Sequence, residues 1–159
     1  MKKITILLLL LLASSSLFCG DIIKGRIIKV TDGDTVTLLT KNNKQLKIRL
    51  YGIDCPEKGQ DFYQVAKDYV SDAIYDKKVQ VEIINKDRYQ RSVGVIWMDK
   101  NVNLNLELIN QGLAWHYKQF DKSESYAEAE RIARKNKSKI WSLANATAPW
   151  EFRKNKKKK

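Results

Sequence analysis

Four carboxylates lie in two short polar segments of the chain, Asp32 and Asp34 in the first and Asp54 and Glu57 in the second. Carboxylate oxygens are the hard ligands that Ca²⁺ and Mg²⁺ prefer in proteins. Each segment also has the composition of an exposed turn, which accounts for its acids when the segment is taken alone. Several acids in two loops of a basic protein favour a divalent cation site, provided that the fold brings the two loops together.

Sulfur and imidazole ligands are scarce in this chain. It has one histidine, His116, and two cysteines, Cys19 and Cys55. Zinc sites of the usual kind need several such ligands, so the composition argues against one. No arrangement supports a Cys-His nucleophile pair either, and we predict that Cys55 packs as a small apolar residue.

Two arginines complete the set of residues that could act together. Arg49 lies in a strand-like alternation, and Arg91 ends the polar segment 87–91. Both could be solvated surface charges. Guanidinium groups beside metal-binding carboxylates are also what phosphoryl transfer requires, because negative charge develops on the equatorial phosphate oxygens. Planar, bidentate arginine suits that role better than lysine.

Alternating apolar residues between Asp21 and Tyr51 predict three antiparallel strands. The turn Asp32-Gly33-Asp34 separates the first two, and the polar loop 41–44 separates the next two. Helical spacing of apolar residues over 60–75 predicts a helix that covers one end of this sheet. The predicted meander would therefore place the acidic segments at its turns.

The second half of the chain predicts two more strands, over 78–85 and 92–98, followed by a short helix that ends at Gly112. Ser125 and Glu128 have capping-box spacing at the start of a further amphipathic helix. Five strands with about three helices predict an α+β fold that is mainly β barrel. The predicted architecture is a five-stranded Greek-key barrel of the oligonucleotide-binding (OB) kind.

The whole sequence fits one basic domain with distinct ends. It has 159 residues and a formal net charge of +12, which attracts polyanions such as nucleic acid or anionic lipid. Two lysines followed by an apolar run predict an export signal over 1–19, and the run is too short for a membrane-spanning helix. Cys19 allows a lipoprotein signal as a minority reading, because Phe18 is large for that motif. The basic end, 146–159, predicts a disordered tail.

Three segments, 30–36 (VTDGDTV), 48–57 (IRLYGIDCPE) and 87–91 (DRYQR), closely resemble the three motifs of the staphylococcal nuclease (thermonuclease) family. The similarity continues into 112–115, 129–134 and 140–141. Three ordered motifs with two helical signatures are a specific signal. The resemblance implies a nuclease domain over 20–145 with the barrel described above.

The resemblance also implies roles for individual residues. It makes calcium ligands of the carboxylates of Asp34 and Asp54 and of the backbone carbonyl of Cys55. It makes a catalytic trio of Arg49, Glu57 and Arg91. Glu57 would be the general base or would orient the attacking water, and the arginines would stabilise the phosphate. The nucleotide contacts implied are Tyr89 and Tyr117. The expected enzyme is secreted or periplasmic, monomeric and Ca²⁺-dependent, and it cleaves DNA and RNA to give 3′-phosphate ends.

The sequence departs from the family pattern at two positions. Cys55 stands where the family often has Thr, which a carbonyl ligand tolerates, and Gln90 replaces a commoner Gly before Arg91. One rival interpretation is a noncatalytic nucleic-acid-binding module on the same barrel, which the retained site residues argue against. Another is a surface adhesin held by a lipid on Cys19 and by its basic tail. That interpretation leaves the acidic loops unexplained.

Overall fold

This computed structural model describes residues 21–157, which contain seven strands and four α-helices. The strands are β1 (Asp21–Asp32), β2 (Thr35–Thr40), β3 (Gln45–Leu50), β4 (Ile53–Asp54), β5 (Lys78–Lys86), β6 (Ser92–Trp97) and β7 (Trp115–His116). The helices are α1 (Tyr63–Ile74), α2 (Leu104–Asn110), α3 (Glu124–Lys135) and α4 (Pro149–Lys156). Short 3₁₀ turns cover Asp99–Asn101 and Lys139–Ser142.

Five of the strands close into a barrel in the order β1, β2, β3, β6, β5. Strands β1, β2 and β3 form the predicted antiparallel meander, and β5 pairs antiparallel with both β6 and β1. Strands β3 and β6 run parallel, with Ile48 opposite Ser92 and Leu50 opposite Gly94. The predicted α+β fold with a five-stranded barrel is confirmed, with four helices rather than about three.

The barrel is filled by the apolar side chains that alternate along its strands, among them Ile27, Leu38, Ile48, Val81 and Ile96. Burying each such side chain contributes roughly 1.5 to 3 kcal/mol to stability. Helix α1 covers the core with its buried face, which consists of Ala66, Val70 and Ile74. Helix α2 adds Leu104, Leu108 and Ile109. The alternation seen in the sequence therefore reflects a single packed interior.

A buried amide, Asn105, fixes the end of β3 relative to β6. Its Nδ2 donates to the backbone carbonyls of Tyr51 (2.9 Å) and Gly94 (3.2 Å). Its Oδ1 accepts from the backbone N–H of Ile96 (3.2 Å). The chain then turns at Gly52, whose φ of +73° lies in the left-handed region that glycine adopts without strain. Strand β4, which carries Asp54, follows this turn.

The structure differs from the sequence prediction at the basic end. The predicted disordered tail, 146–159, contains helix α4, with Pro149 in its first turn and Arg153, Lys154 and Lys156 in its last turn. Proline suits the first position of a helix, and cations near the C-terminus are stabilised by the helix dipole. The prediction was wrong here because it weighed the charge of the whole segment and overlooked the order of its residues.

The predicted capping box was also misplaced. Helix α3 begins after Ser123 as its N-cap residue, and Ser125 lies inside its first turn. The predicted signal segment 1–19, with Cys19, lies outside the described residues. Within residues 21–157, no helix is both long and apolar enough to cross a membrane.

Candidate active site

The two acidic segments meet at one end of the barrel. The backbone N–H of Cys55 donates to Oδ2 of Asp34 at 2.9 Å, which joins the β1–β2 turn to the segment after β4. The turn favours a glycine, because a Cβ on Gly33 would lie 3.0 Å from the Cβ atoms of both Cys55 and Ala66 and these neighbours would have to shift. The fold thus brings together the loops that the sequence suggested as a cation site.

Arg49 is the central cation of this end of the barrel. Its NH2 lies 3.1 Å from Oδ2 of Asp34 and 2.8 Å from Oδ1 of Asp54, and its side chain is 14% exposed. Its NH1 donates to the carbonyl of Leu50 at 2.9 Å. Burial disfavours the cation, but the charges of Asp34 and Asp54 outweigh burial and raise the pKa of Arg49. One guanidinium therefore bridges the two predicted metal ligands.

A further arginine, Arg153 of α4, reaches the same carboxylates. Its NH2 donates to Oδ2 of Asp54 at 2.8 Å, and its NH1 donates to Oδ1 of Asp54 at 3.2 Å. NH1 also lies 2.5 Å from Oε1 of Glu57. Sequence reasoning missed this residue because it assigned Arg153 to a disordered tail. The one usable signal was Pro149, which favours a helix start just before it.

The carboxylates outnumber the arginines that face them. Burial, followed by the charge of Asp34, raises the pKa of Asp32 to about 7. Burial likewise raises the pKa of Asp54 to about 6. The hydrogen bonds from Arg153 lower this pKa, and the charge of Asp34 raises it further. Protonation of Asp32 and Asp54 is thus favoured because Asp32 is half-buried, Asp54 is buried, and the charge of Asp34 repels both. An added cation would relieve the same repulsion.

The donor set fits a hard divalent cation with few protein ligands. Asp34 and Asp54 each place an oxygen within 3.1 Å of the same Arg49 nitrogen, so both carboxylates face one small volume. Among residues 21–157, no group of three or more His, Cys, Asp or Glu side chains is arranged to hold a metal ion. Two carboxylates with a carbonyl would leave water and substrate to complete the shell.

Cys55 contributes its backbone to this region, while its side chain packs in the core. Burial raises the pKa of its thiol well above the usual value, and the charge of Asp34 acts in the same direction. A neutral buried thiol is a poor nucleophile and a poor metal ligand. Only the backbone of Cys55 therefore suits the predicted role.

Glu57 and Arg91 differ in how the structure places them. Glu57 is 39% exposed at its side chain, so water reaches its carboxylate beside Arg153. The Nε of Arg91 donates to Oδ2 of Asp87 at 2.6 Å, and Asp87 is its ionic partner among the described residues. Gln90 has a φ of +60°, a left-handed conformation that glycine adopts more easily. The Arg91 side chain is directed by its own hairpin and makes no ion pair with Asp34, Asp54 or Glu57.

The two predicted nucleotide contacts have different surroundings. Tyr89 is 66% exposed, and the guanidinium carbons of Arg88 and Arg91 lie 4.9 and 5.7 Å from its ring centroid. Tyr117 is stacked on Trp150 of α4, with ring centroids 5.0 Å apart and planes 9° from parallel. A groove of about 960 Å³ adjoins this pair and is lined in part by Trp115, Trp141 and Arg134.

Comparison with known proteins points to one family. The family model described as staphylococcal nuclease homologue matches residues 47–143. An uncharacterized endonuclease of Haemophilus influenzae is 42% identical over 132 residues, which cover 83% of this chain and 74% of that protein. An uncharacterized endonuclease of Escherichia coli O157:H7 is 34% identical over 149 residues, covering 94% and 96%. A micrococcal nuclease of Shigella flexneri is 32% identical over 145 residues, covering 84% and 82%.

The matched segment contains Arg49, Asp54, Glu57 and Arg91, and it ends before Arg153. The barrel, the clustered acids and these similarities lead to the same conclusion. This chain belongs to the staphylococcal nuclease family.

Proposed function

We propose that this protein is a calcium-dependent nuclease that hydrolyses phosphodiester bonds of DNA and RNA and leaves 3′-phosphate ends. The observation that carries the proposal is the buried Arg49, which bridges Asp34 and Asp54 a few residues from the accessible carboxylate of Glu57. An arginine that could bind phosphate, two carboxylates that could bind a metal ion and a carboxylate that could act as a base are then adjacent. The names of two relatives, an uncharacterized endonuclease and a micrococcal nuclease, support the same chemistry.

Calcium would be held by the carboxylates of Asp34 and Asp54 and by the carbonyl of Cys55. When bound, it would supply positive charge to the phosphate oxygens. With so few protein ligands, we expect a weak dissociation constant of about 10⁻⁴ to 10⁻³ M, as in extracellular calcium modules. Such an affinity suits an enzyme that works where calcium is abundant.

The protein's own residues would carry the remaining steps. Glu57 accepts a proton from the attacking water, whose oxygen forms a bond to phosphorus opposite the 5′-oxygen. The bond from phosphorus to the 5′-oxygen breaks, and the 5′-oxygen takes up a proton from solvent water. Glu57 returns its proton to solvent, and the products are a 3′-phosphate and a 5′-hydroxyl. Arg49 and Arg91 would stabilise the charge that develops on phosphate, and the bond from Arg91 to Asp87 uses only its Nε.

Cleavage with and without calcium tests this function. Purified protein is incubated with plasmid DNA or with RNA, in Ca²⁺ or in chelator, and the new ends are analysed. We expect cleavage in Ca²⁺ alone, 5′-ends that a kinase labels directly, and 3′-ends that a polymerase extends only after phosphatase treatment. Cleavage that persists in chelator would contradict the calcium assignment. Binding without cleavage in either condition would favour the noncatalytic module.

We further propose that the protein acts outside the cytoplasm, on the basis of its signal-like segment 1–19. Mass spectrometry of the protein from its native host tests this proposal. A mature N-terminus created by cleavage within this segment supports export, and a lipid-modified Cys19 would place the protein at a membrane surface. An intact N-terminal segment would contradict both.

A further inference from the structure

Arg153 occupies both oxygens of a predicted calcium ligand. Oδ2 of Asp54 accepts from Arg153 NH2, and Oδ1 accepts from Arg153 NH1 and from Arg49 NH2. Asp54 is only 1% exposed, so the two guanidinium groups and the surrounding core leave it little other contact. A cation that approaches Asp54 therefore competes with Arg153 for the same two oxygens.

Hydrogen bonds join the start of helix α4 to the loop that carries Glu57, and they help to position Arg153. Gln60 donates from Nε2 to the carbonyl of Thr147 at 2.8 Å, just before α4. The same Gln60 accepts from the backbone N–H of Glu57 at 2.9 Å. The stack of Trp150 on Tyr117 is a second contact that holds the helix in place. These contacts fix the position of the helix and therefore hold Arg153 next to the carboxylates.

The two arginines on Asp54 differ in how easily they can leave. Arg49 is 14% exposed and also hydrogen-bonds its neighbour's backbone, whereas Arg153 is 39% exposed. Water competes for the partly exposed guanidinium of Arg153, which lowers the net stability of its pair with the buried Asp54. Arg153 can therefore be exchanged for another cation while Arg49 stays in place.

Charge balance favours such an exchange. Arg49 and Arg153 supply two positive charges opposite the acidic cluster of Asp32, Asp34 and Asp54. A divalent cation on Asp54 would, with Arg49, balance the charges of Asp32, Asp34 and Asp54. Arg153 would give up its bonds to Asp54 and keep its pair with Glu57, whose single charge it balances.

We propose that Arg153 and the divalent cation compete for Asp54, so that Arg153 is a positioning residue that sets the calcium affinity of the site. This inference rests on the calcium-dependent function proposed above. The apparent dissociation constant rises as the fraction of molecules with a free Asp54 falls. A partly exposed pair of this kind predicts an effect of about three- to tenfold.

Calorimetric titration with Ca²⁺ alone, without substrate, tests the competition. Arg153→Gln should lower the calcium dissociation constant about three- to tenfold relative to the parent. Lys154→Gln is the matched control, because it removes the same charge from the next, exposed position of α4. It should change the constant by less than about twofold, since only long-range electrostatics are altered.

Thermal unfolding gives a second readout on the same proteins. Without calcium, Arg153→Gln should melt at a lower temperature than Lys154→Gln, because Asp54 keeps only Arg49 as a partner. Saturating calcium should raise its melting temperature more than that of the parent. Arg153→Lys keeps the charge but loses the bidentate contact, so its calcium affinity should lie between those of the parent and Arg153→Gln. This variant replaces Arg153→Gln in the test if the glutamine variant does not fold.

The outcomes separate this inference from the proposed function. A parent that binds calcium and cleaves DNA, with equal calcium affinity in Arg153→Gln and Lys154→Gln, would overturn the competition and leave the nuclease intact. Weaker calcium binding by Arg153→Gln would overturn it too. A parent that neither binds calcium nor cleaves DNA would overturn both.

Discussion

At the scale of single residues, the site depends on geometry that only certain side chains provide. Arg49 contacts two carboxylates and a backbone carbonyl at once from a buried position. A planar guanidinium can donate several hydrogen bonds in fixed directions, whereas an ammonium group is a point charge. Each of these hydrogen bonds stabilises the fold, because a buried charge without partners is strongly destabilising.

Arg49→Lys should reduce turnover about 10²- to 10³-fold while leaving DNA binding nearly unchanged. The variant keeps the charge but would lose the bidentate contact to phosphate that we propose for Arg49. The measurement is single-turnover cleavage of a defined DNA, beside its dissociation constant. Arg131→Lys is the matched control, because Arg131 forms an exposed pair with Glu128 on α3. Equal loss of turnover in both variants would show that Arg49 has no special role.

At the scale of elements, the terminal helix α4 changes how the site is built. The motifs that resemble the family predicted the acidic turns, and the alternation of Ile48 and Leu50 predicted β3, because both are local patterns. The parallel pairing of β3 with β6 could not be predicted, since it joins residues more than forty positions apart. Arg153 was missed for a related reason: its partners Asp54 and Glu57 are distant in sequence, and basic composition hid its helix.

Trp150→Ala should loosen α4 and weaken the hold of Arg153 on Asp54. Losing the stack on Tyr117 should lower the free energy of unfolding by about 1 to 3 kcal/mol. Calcium affinity should increase towards that of Arg153→Gln. Chemical denaturation and calcium titration measure the two effects. Phe120→Ala is the control, because this ring also contacts Tyr117 but lies outside α4. Weaker calcium binding by Trp150→Ala would contradict the account of α4.

At the scale of the whole molecule, excess positive charge should govern capture of the substrate. The protein has a net charge of +12, which attracts polyanions. The exposed lysines of α4 place part of this positive charge near Arg153. Each phosphate that a protein neutralises releases counterions, so this attraction weakens steeply as salt increases. We therefore expect that substrate capture and catalysis can be separated by mutation.

Replacing Lys154, Lys156 and Lys157 by Gln should raise the Michaelis constant for DNA several-fold at about 50 mM salt, and less at about 200 mM. Turnover at saturating DNA should stay nearly unchanged, because none of these lysines contacts the acidic cluster. Steady-state kinetics at the two salt concentrations measure both quantities. Replacing Lys41, Lys44 and Lys47 is the control of equal charge. A collapse of turnover in the α4 variant would place these lysines in the catalytic site.

The central claim is that Glu57 serves as the base of a nuclease, and Glu57→Gln tests it most directly. The measurement is turnover on DNA in saturating Ca²⁺, with binding of the same DNA and circular dichroism measured in parallel. Loss of a general base should lower turnover about 10²- to 10⁴-fold. DNA binding and the fold should persist, and Glu124→Gln, at an exposed position of α3, should cut like the parent. Parental turnover by Glu57→Gln would contradict the claim.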